Sequence, residues 1–172
     1  MATAGTLMLK IGGNILTLLD KDVSKFEDKR LPDYCFTNLF SNNSGIYDAS
    51  SLELTPKLSS MGLYQGMFYN CTEMITSPQK IYLTDMSEDC CRTMFYKCSS
   101  LVNIPDTWCS NVTELGYYVY TSSISKSWKL AENCFMSCFR ETAIKQLPKL
   151  PATKLANLCY AYMFAGCKGL TT

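Results

Sequence analysis

The sequence contains no histidine among its 172 residues. This absence excludes the Ser–His–Asp and Cys–His arrangements of many hydrolases, and it excludes histidine metal ligands. An excess of one charge is missing as well, because 16 Lys and Arg residues stand against 15 Asp and Glu residues and leave a formal net charge of +1. We therefore expect neither a nucleic-acid partner nor an acidic solvating tail.

Long hydrophobic runs are also missing. No stretch approaches the roughly 18 apolar residues of a membrane-spanning helix, so membrane insertion is not expected. The first residues, MATAGTLMLKIGGN, have no basic segment ahead of an apolar core, which is what a secretory leader would show. We expect either synthesis without export or a start after a removed leader. Length and a 47% hydrophobic content fit one globular domain.

The abundant residues are Cys (10), Met (9) and Tyr (11), and they recur in register. A phenylalanine serves as the anchor of each unit, at Phe40, Phe68, Phe95, Phe139 and Phe164. One residue before the anchors stand Leu39, Met67, Met94, Cys138 and Met163, and five before stand Cys35, Leu63, Cys90, Cys134 and Cys159. Apolar positions four residues apart predict one short amphipathic helix in each unit.

A second pattern follows each anchor. About six residues after the anchor stands an apolar residue, and a short stretch that ends at Pro78, Pro105 or Pro148 follows it in three of the units. Such stretches predict strands of about four to five residues. One helix and one strand at a period of ~25 residues are typical of a leucine-rich repeat. The sequence thus predicts an α/β leucine-rich-repeat solenoid of about five repeats, each a short strand plus a short helix, with an N-terminal cap and one inserted hairpin.

The predicted domain organisation has two parts. Residues 1–32 lack the repeat pattern and are interpreted as the cap, whereas residues 33–172 form the predicted solenoid. The 44-residue anchor spacing contains an insertion at about residues 107–127, for which a β-hairpin or an extended loop is expected. At the C-terminal edge, the hypothesis is that the native chain continues or that a neighbouring subunit covers the edge.

The cysteines alternate with other small or apolar residues. Three residues after the anchor, Cys is replaced by Asn43 and Thr142, which indicates a need for a small side chain that bonds to backbone. Five before the anchor it is replaced by Leu63, which indicates a core position. Buried, reduced thiols are the favoured interpretation, with disulfides and a metal site as alternatives. No cofactor and no metal are expected.

No catalytic site is expected either. The carboxylates of Asp85, Glu88 and Asp89 fall in the first turn of a predicted helix, where the helix dipole favours negative charge. Gly12 and Gly13 are not followed by a phosphate-loop pattern. Cysteine nucleophiles would lack a histidine base. We therefore expect a protein that is not an enzyme.

Two sets of residues are candidates for binding a partner. The outward strand positions predict a concave face made of Asp48, Thr76, Asn103 and Gln146. The insertion and its borders supply Trp108, Tyr117, Tyr118, Tyr120 and Trp128, residue types favoured at contact surfaces. The alternatives are a solvated face that contacts nothing and a loop whose aromatic residues pack on their own scaffold.

The pattern MF-x-x-C-x-x-L with a following proline, and above all LPKLPATKLANLCYAYMFAGC at 147–167, resembles the BspA-like leucine-rich repeats of bacterial surface proteins. The resemblance covers roughly residues 12–172, and similar sequences occur in phages of gut anaerobes. It implies adhesion and protein interaction rather than catalysis. The expectation is a non-enzymatic recognition or scaffold module, favoured as a structural or receptor-binding component of a phage particle, located in the virion. The alternative is an adhesin at the bacterial surface, or secreted, that binds host protein or glycan.

Overall fold

The structure is a computed structural model that describes residues 7–26, 28–120 and 126–171. Its regular elements are strand β1 (Leu9–Asn14), two 3-10 helices (Ile15–Leu18 and Val23–Phe26), and strands β2 (Ile46–Glu53), β3 (Gly116–Tyr120) and β4 (Lys126–Leu130). β1 pairs with β2 in parallel, and β3 pairs with β4 antiparallel. Residues 1–6 of the predicted cap and 121–125 of the insertion lie outside the described residues.

The prediction of an α/β leucine-rich-repeat solenoid is wrong. The described residues contain no α-helix, and their strands form only two sheets of two strands each. Where the sequence predicted a column of strands ending at proline, the structure has isolated bridges, such as Asp48 with Thr76 and Thr76 with Asn103. The leucine-rich-repeat description of the chain is corrected accordingly.

In place of the five predicted helices there are five turn segments. We number them one to five along the chain, at residues 33–42, 61–70, 88–97, 132–141 and 157–166. Within each segment, every second N–H donates to the carbonyl three residues earlier, as Thr37 does to Tyr34 at 3.1 Å. The intervening N–H groups donate to the next segment, as Phe36 does to Leu63 at 3.1 Å. We call the resulting stack of segments the turn ladder.

The ladder repeats every four residues because two kinds of turn alternate. One residue in four has positive φ, as at Gly62, Gly66 and Asn70 with φ of 59°, 58° and 59°. A positive φ at the second central residue is the requirement of a type II turn, whereas the intervening turns have none and fit type I. Glycine, asparagine and aspartate tolerate this left-handed conformation best, and they occupy many of these positions.

The anchors form the centre of the core. The rings of successive phenylalanines stack in nearly parallel planes, with centroid separations of 5.3, 5.4, 5.3 and 5.9 Å from Phe40 to Phe164. The apolar side chains one and five residues before the anchors of segments two to four are fully buried beside them. Burying a large apolar side chain stabilises the fold by roughly 1.5–3 kcal/mol, so the stack and the side chains beside it contribute strongly to stability.

The N-terminal segment packs along one side of the ladder. Ile15 and Leu16 of the first 3-10 helix are buried in the core. The side chain of Asn14 caps this helix by accepting the N–H of Leu16 at 2.9 Å, and it also accepts the hydroxyl of Thr55 at 2.6 Å. Gly12 allows β1 to approach β2 closely, because a Cβ there would lie 2.8 Å from the Cβ of Ser51.

Candidate functional site

Three of the four residues predicted for a concave face do lie in one row. Parallel bridges align Asp48, Thr76 and Asn103, and the Asn103 amide donates to the Thr76 hydroxyl at 3.4 Å. Gln146 is exposed, and no bridge among the described residues joins it to Asn103. Ala143 still donates to the carbonyl of Leu101 at 3.1 Å, but beyond this bond the described residues continue the row of bridges no further than Asn103.

The polar groups of this row are mostly paired within the protein. Asp48 accepts the N–H of Ser50 at 2.8 Å and forms an ion pair with Lys10 at 3.0 Å. Hydrogen bonds from Ser50, with a smaller contribution from Lys10, lower the pKa of the Asp48 carboxyl below its ordinary value. The row is therefore short and already hydrogen-bonded, which makes it a weak candidate for a ligand site.

The aromatic residues of the insertion are not all available to a partner. Trp108 is completely buried between Phe95, Phe135 and Phe139, with centroid separations of 5.7, 6.3 and 5.2 Å. It is a core residue rather than part of a surface. The side chain of Tyr120 lies outside the described part of the chain. Tyr117, Tyr118 and Trp128 remain as candidates.

These three residues lie on the hairpin formed by β3 and β4. Tyr118 stands opposite Trp128 in the register, and their rings meet edge to face with centroids 4.8 Å apart. Tyr118 is exposed, whereas Trp128 and Tyr117 are half-buried. Cross-strand aromatic pairs stabilise a hairpin, so the pair holds its own geometry on the ladder surface.

The hairpin forms one wall of a two-lobed depression that we call the hairpin cleft. The two lobes have volumes of about 290 and 360 Å³, and both are lined by Arg30 and Tyr118. The first lobe is also lined by Leu31, Asp33, Ser60, Met61, Ser87 and Tyr117. The second is also lined by Leu58, Thr84, Asp85, Thr113, Glu114 and Trp128.

Arg30 is fixed at the centre of the cleft. Its guanidinium forms an ion pair with Asp85 and donates to the carbonyl of Ser59, and Asp85 in turn accepts the N–H of Ser59 at 2.7 Å. The guanidinium carbon lies 5.6 Å from the centroid of the Tyr117 ring, within the range of a cation–π contact. The helix-dipole explanation for Asp85 is wrong, because no helix begins there; the carboxylate positions Arg30 instead.

Carboxylates set the electrostatics of both lobes. Burial raises the pKa of Tyr117, and the negative charges of Glu88 and Asp33 raise it further against the opposing effect of Arg30. In the second lobe, Lys154 forms an ion pair with Glu114 at 2.7 Å. Its hydrogen bond with Glu114 raises the pKa of Lys154 above its ordinary value.

Trp128 contributes an unpaired donor to the second lobe. Within the described residues its buried indole N–H has no acceptor, and Lys154 lies 5.8 Å from the centroid of its ring. Tyr64 and Trp108 also have unpartnered buried polar atoms, but both residues are in the closed core. The Trp128 N–H is therefore the unpartnered buried side-chain donor at the edge of a cleft.

Sequence reasoning missed Arg30 and Asp85 as members of the site. Arg30 was assigned to the cap and Asp85 to a helix start, and 55 positions separate them along the chain. No local pattern joins such residues. They meet only because the ladder brings the start of the second and third turn segments next to the end of the N-terminal segment.

The ten cysteines are free thiols, eight of them buried. The predicted need for a side chain that bonds to backbone after the anchor is confirmed, since Cys71 donates to the carbonyl of Phe40 at 3.1 Å and Cys98 to that of Phe68 at 3.0 Å. Burial raises the pKa of Cys71 to about 11 and that of Cys109 to about 12. In the described ranges, no group of three or more His, Cys, Asp or Glu side chains is arranged to hold a metal ion.

No helix in the described part of the chain is both long and apolar enough to cross a membrane. No protein-family model, curated protein or solved structure matches the chain. The predicted roles in a phage particle or in adhesion therefore have no support from related proteins.

Proposed function

We propose that the protein is a non-catalytic recognition module that binds a segment of a partner protein in the hairpin cleft. The observation that carries the proposal is that Arg30, held by Asp85, lines both lobes together with aromatic side chains of the insertion. Tyrosine, tryptophan and arginine are the residues that contribute most to binding energy at protein interfaces. Here Arg30 and Tyr118 line both lobes, Tyr117 lines the first lobe with its ring 5.6 Å from the Arg30 guanidinium, and Trp128 lines the second.

The charges of the cleft favour a basic partner segment. Asp33, Asp85 and Glu114 line the lobes and Glu88 acts on Tyr117, whereas among the described residues the opposing positive charges are those of Arg30 and Lys154. A lysine or arginine of the partner would meet these carboxylates and the exposed side chain of Tyr118.

A protein segment fits the site better than a sugar. Sugars stack on open aromatic faces, but the Tyr117 face already carries Arg30 at 5.6 Å, and the Trp128 ring has Lys154 at 5.8 Å. Tyr118 is the aromatic residue that offers exposed area to a ligand.

The scaffold favours binding because it is rigid. Five backbone hydrogen bonds join each turn segment to the next, so the hairpin and Arg30 are held by an ordered framework before a partner arrives. Preorganisation lowers the entropy lost on association. A binding role also agrees with the chemistry of the thiols, since burial keeps Cys71 and Cys109 protonated at neutral pH and a thiol is a poor nucleophile.

The narrower expectation of a phage-particle component, and its alternative of a surface adhesin, rest on the sequence resemblance and stay predictions. A protein partner in a larger assembly is compatible with either.

The proposal is tested by selecting ligands from a displayed random peptide library and measuring the affinity of the selected peptides. We expect peptides enriched in lysine or arginine, and an affinity loss of about 2 kcal/mol, or roughly 30-fold, on Tyr118→Ala. Tyr82→Ala is the matched control, because Tyr82 is similarly exposed but lies outside the cleft. Selected peptides that bind the Tyr118→Ala and Arg30→Ala variants as tightly as the unmodified protein would contradict the proposal. Binding on a glycan array that depends on Tyr118 would replace the peptide by a sugar.

A further inference from the structure

The two ends of the turn ladder are chemically opposite. At each junction, N–H groups at alternate positions of one segment donate to carbonyls of the following one. The last junction has five such bonds, from Asn133, Phe135, Ser137, Phe139 and Glu141 to the fifth segment, at 2.9–3.1 Å. Every segment therefore offers donors toward the C-terminal end of the ladder and acceptors toward its N-terminal end.

The fifth segment has donors left over. Among the described residues, no acceptor exists for the N–H groups at the five positions that donate in every earlier segment. These are Leu158, Tyr160, Tyr162, Phe164 and Gly166. An edge that presents a row of unpaired N–H groups is a template for pairing with another chain.

The first segment has the matching acceptors. The carbonyls of Asp33, Cys35, Thr37, Leu39 and Ser41 stand where the later segments accept the junction bonds, and no described residue donates to them. Both rows use every second residue of a ladder with the same four-residue period, so their spacings agree. A row of N–H dipoles facing a row of carbonyl dipoles is also electrostatically complementary.

The side chains at the two ends show the same incompleteness. Leu39 is 42% exposed, whereas Met67 and Met94, at the equivalent position in the second and third segments, are fully buried. At the other end Leu158 and Tyr162 are 53% and 63% exposed. Leu39 thus occupies a position that the interior segments bury, and Leu158 and Tyr162 expose apolar area at the opposite end.

We propose that a second copy of this chain binds head to tail, so that the unpaired N–H row of the fifth turn segment of one copy donates to the carbonyl row of the first turn segment of the next. Interior contacts indicate how the side chains would meet. The ring of Tyr34 lies where a Cβ of Gly62 would be, and the Asn38 side chain lies over Gly66. In the new junction, Leu158 takes the place of Tyr34 and Tyr162 that of Asn38, so Tyr162 of one copy contacts Asn38 of the next.

Such a contact joins two different surfaces, and each added copy renews both. Head-to-tail contacts of this kind close into a ring if the rotation per copy allows it and otherwise grow as an open chain. Of the described residues that line the hairpin cleft, Asp33 contributes its backbone carbonyl to the junction, whereas Tyr118, Tyr117 and Trp128 take no part in it. Recognition by the cleft and assembly through the ladder ends are therefore separable.

Sedimentation velocity of the full chain from about 5 μM to about 0.5 mM tests the proposal, a range that detects contacts down to millimolar affinity. We expect the weight-average mass to rise with concentration beyond that of a monomer. A protein that remains monomeric over the whole range overturns the proposal.

Paired variants identify the surfaces. The Tyr162→Lys and Asn38→Lys substitutions in one chain place two lysines together at each junction, and we expect association to weaken at least about tenfold through like-charge repulsion. Tyr162→Lys with Asn38→Asp places opposite charges there and is expected to associate as the unmodified chain does. The ladder already holds a lysine in the left-handed conformation at Lys97, so both double variants are expected to fold, as circular dichroism will show.

Controls separate this contact from others. Leu147 lies outside the turn segments and is 52% exposed, close to the 53% of Leu158. The Leu147→Lys substitution is expected to leave association unchanged. Tyr118→Ala is also expected to leave association unchanged, because Tyr118 does not belong to either row of the junction. Association that survives in the double-lysine variant, or that disappears in the Leu147→Lys variant, overturns the assignment of the ladder ends.

Discussion

The turn ladder and the inserted hairpin are stabilised in different ways. Each segment of the ladder is bonded through five backbone groups to the next, and its rings stack in a continuous column. The hairpin is held by its own β3–β4 pairing and one aromatic pair, and it is joined to the rest of the chain by the Met86 N–H donating to the carbonyl of Gly116 at 3.1 Å, by the Arg30 contact with Tyr117 and by the ion pair of Glu114 with Lys154. The comparison indicates that most of the stability comes from the turn ladder, whereas the hairpin contributes less to stability and is available for binding.

The largest effect on the ladder is expected from alkaline pH. Burial raises the thiol pKa of Cys109 from 9.0 to about 12, and it raises those of Cys98, Cys134 and Cys138 as well. A folded-state pKa above the unfolded value means that this stability is complete below pH 9 and is lost as pH rises toward the folded-state value.

At a pH of about 10, each such thiol lowers the free energy of unfolding by about 1.4 kcal/mol, and together they lower it by several kcal/mol. Urea unfolding at pH values of about 8 and 10 measures the difference. A Cys109→Ala variant is the control, because it is expected to lose less stability between the two pH values. Equal stability at both would contradict the burial of neutral thiols.

The second largest effect is expected from a cavity in the ring stack. Phe95 contacts the rings of Phe68, Phe139 and Trp108, so Phe95→Ala removes the centre of the column. We expect a loss of about 3–5 kcal/mol, measured by chemical denaturation. Phe95→Leu keeps most of the volume and is expected to lose clearly less. If both variants unfold at the same denaturant concentration as the unmodified chain, the stack is not the core.

A moderate effect is expected from the left-handed positions. Gly66→Ala introduces a Cβ that overlaps the Asn38 side chain at a φ of 58°, which should cost about 1–3 kcal/mol. Thr93 occupies the equivalent position in the third segment with a φ of 54°. Thr93→Gly is expected to be neutral or to stabilise by up to about 1 kcal/mol. Thermal unfolding of the two variants measures whether Gly66→Ala lowers and Thr93→Gly maintains or raises stability. A Gly66→Ala variant that is more stable than the Thr93→Gly variant would contradict alternating type I and type II turns.

The smallest effect on stability is expected in the hairpin. Tyr118 is exposed, and Tyr118→Ala should change the free energy of unfolding by less than about 0.5–1 kcal/mol while it weakens peptide binding. Denaturation and binding titration of the same preparation separate the two outcomes. A loss as large as that of Phe95→Ala would show that the hairpin is part of the folding core, and the contrast between the two regions would then be wrong.

The sequence pattern identified which residues form the core, but it suggested the wrong secondary structure for them. The stripe of apolar residues at offsets of −9, −5 and −1 has a period of four, whereas an α-helix repeats every 3.6 residues and would drift by about 40° at each step. A second signal was present: residues suited to positive φ, such as Gly62, Gly66 and Asn70, recur every four residues. Glycine and asparagine at that spacing disfavour a helix and favour alternating turns.

The candidate site was only partly predictable. Tyr117, Tyr118 and Trp128 were identified because aromatic residues clustered in an insertion are unusual. Trp108 belongs to the same cluster, but its side chain is turned into the core, and composition does not reveal orientation. Arg30 and Asp85 were beyond reach, because they become neighbours only through the stacking of segments that are distant in the chain.

The central claim is that the repeated segments are alternating turns joined into a ladder rather than helices. Nuclear Overhauser spectra of the amide protons test it most directly. The account predicts the strong intraresidue amide–Hα contacts of positive φ at Asn38, Thr93 and Ser137, together with contacts between amides of neighbouring segments such as Phe68 and Phe95. An unbroken series of sequential amide–amide contacts through residues 88–97, with helical chemical shifts, would contradict it.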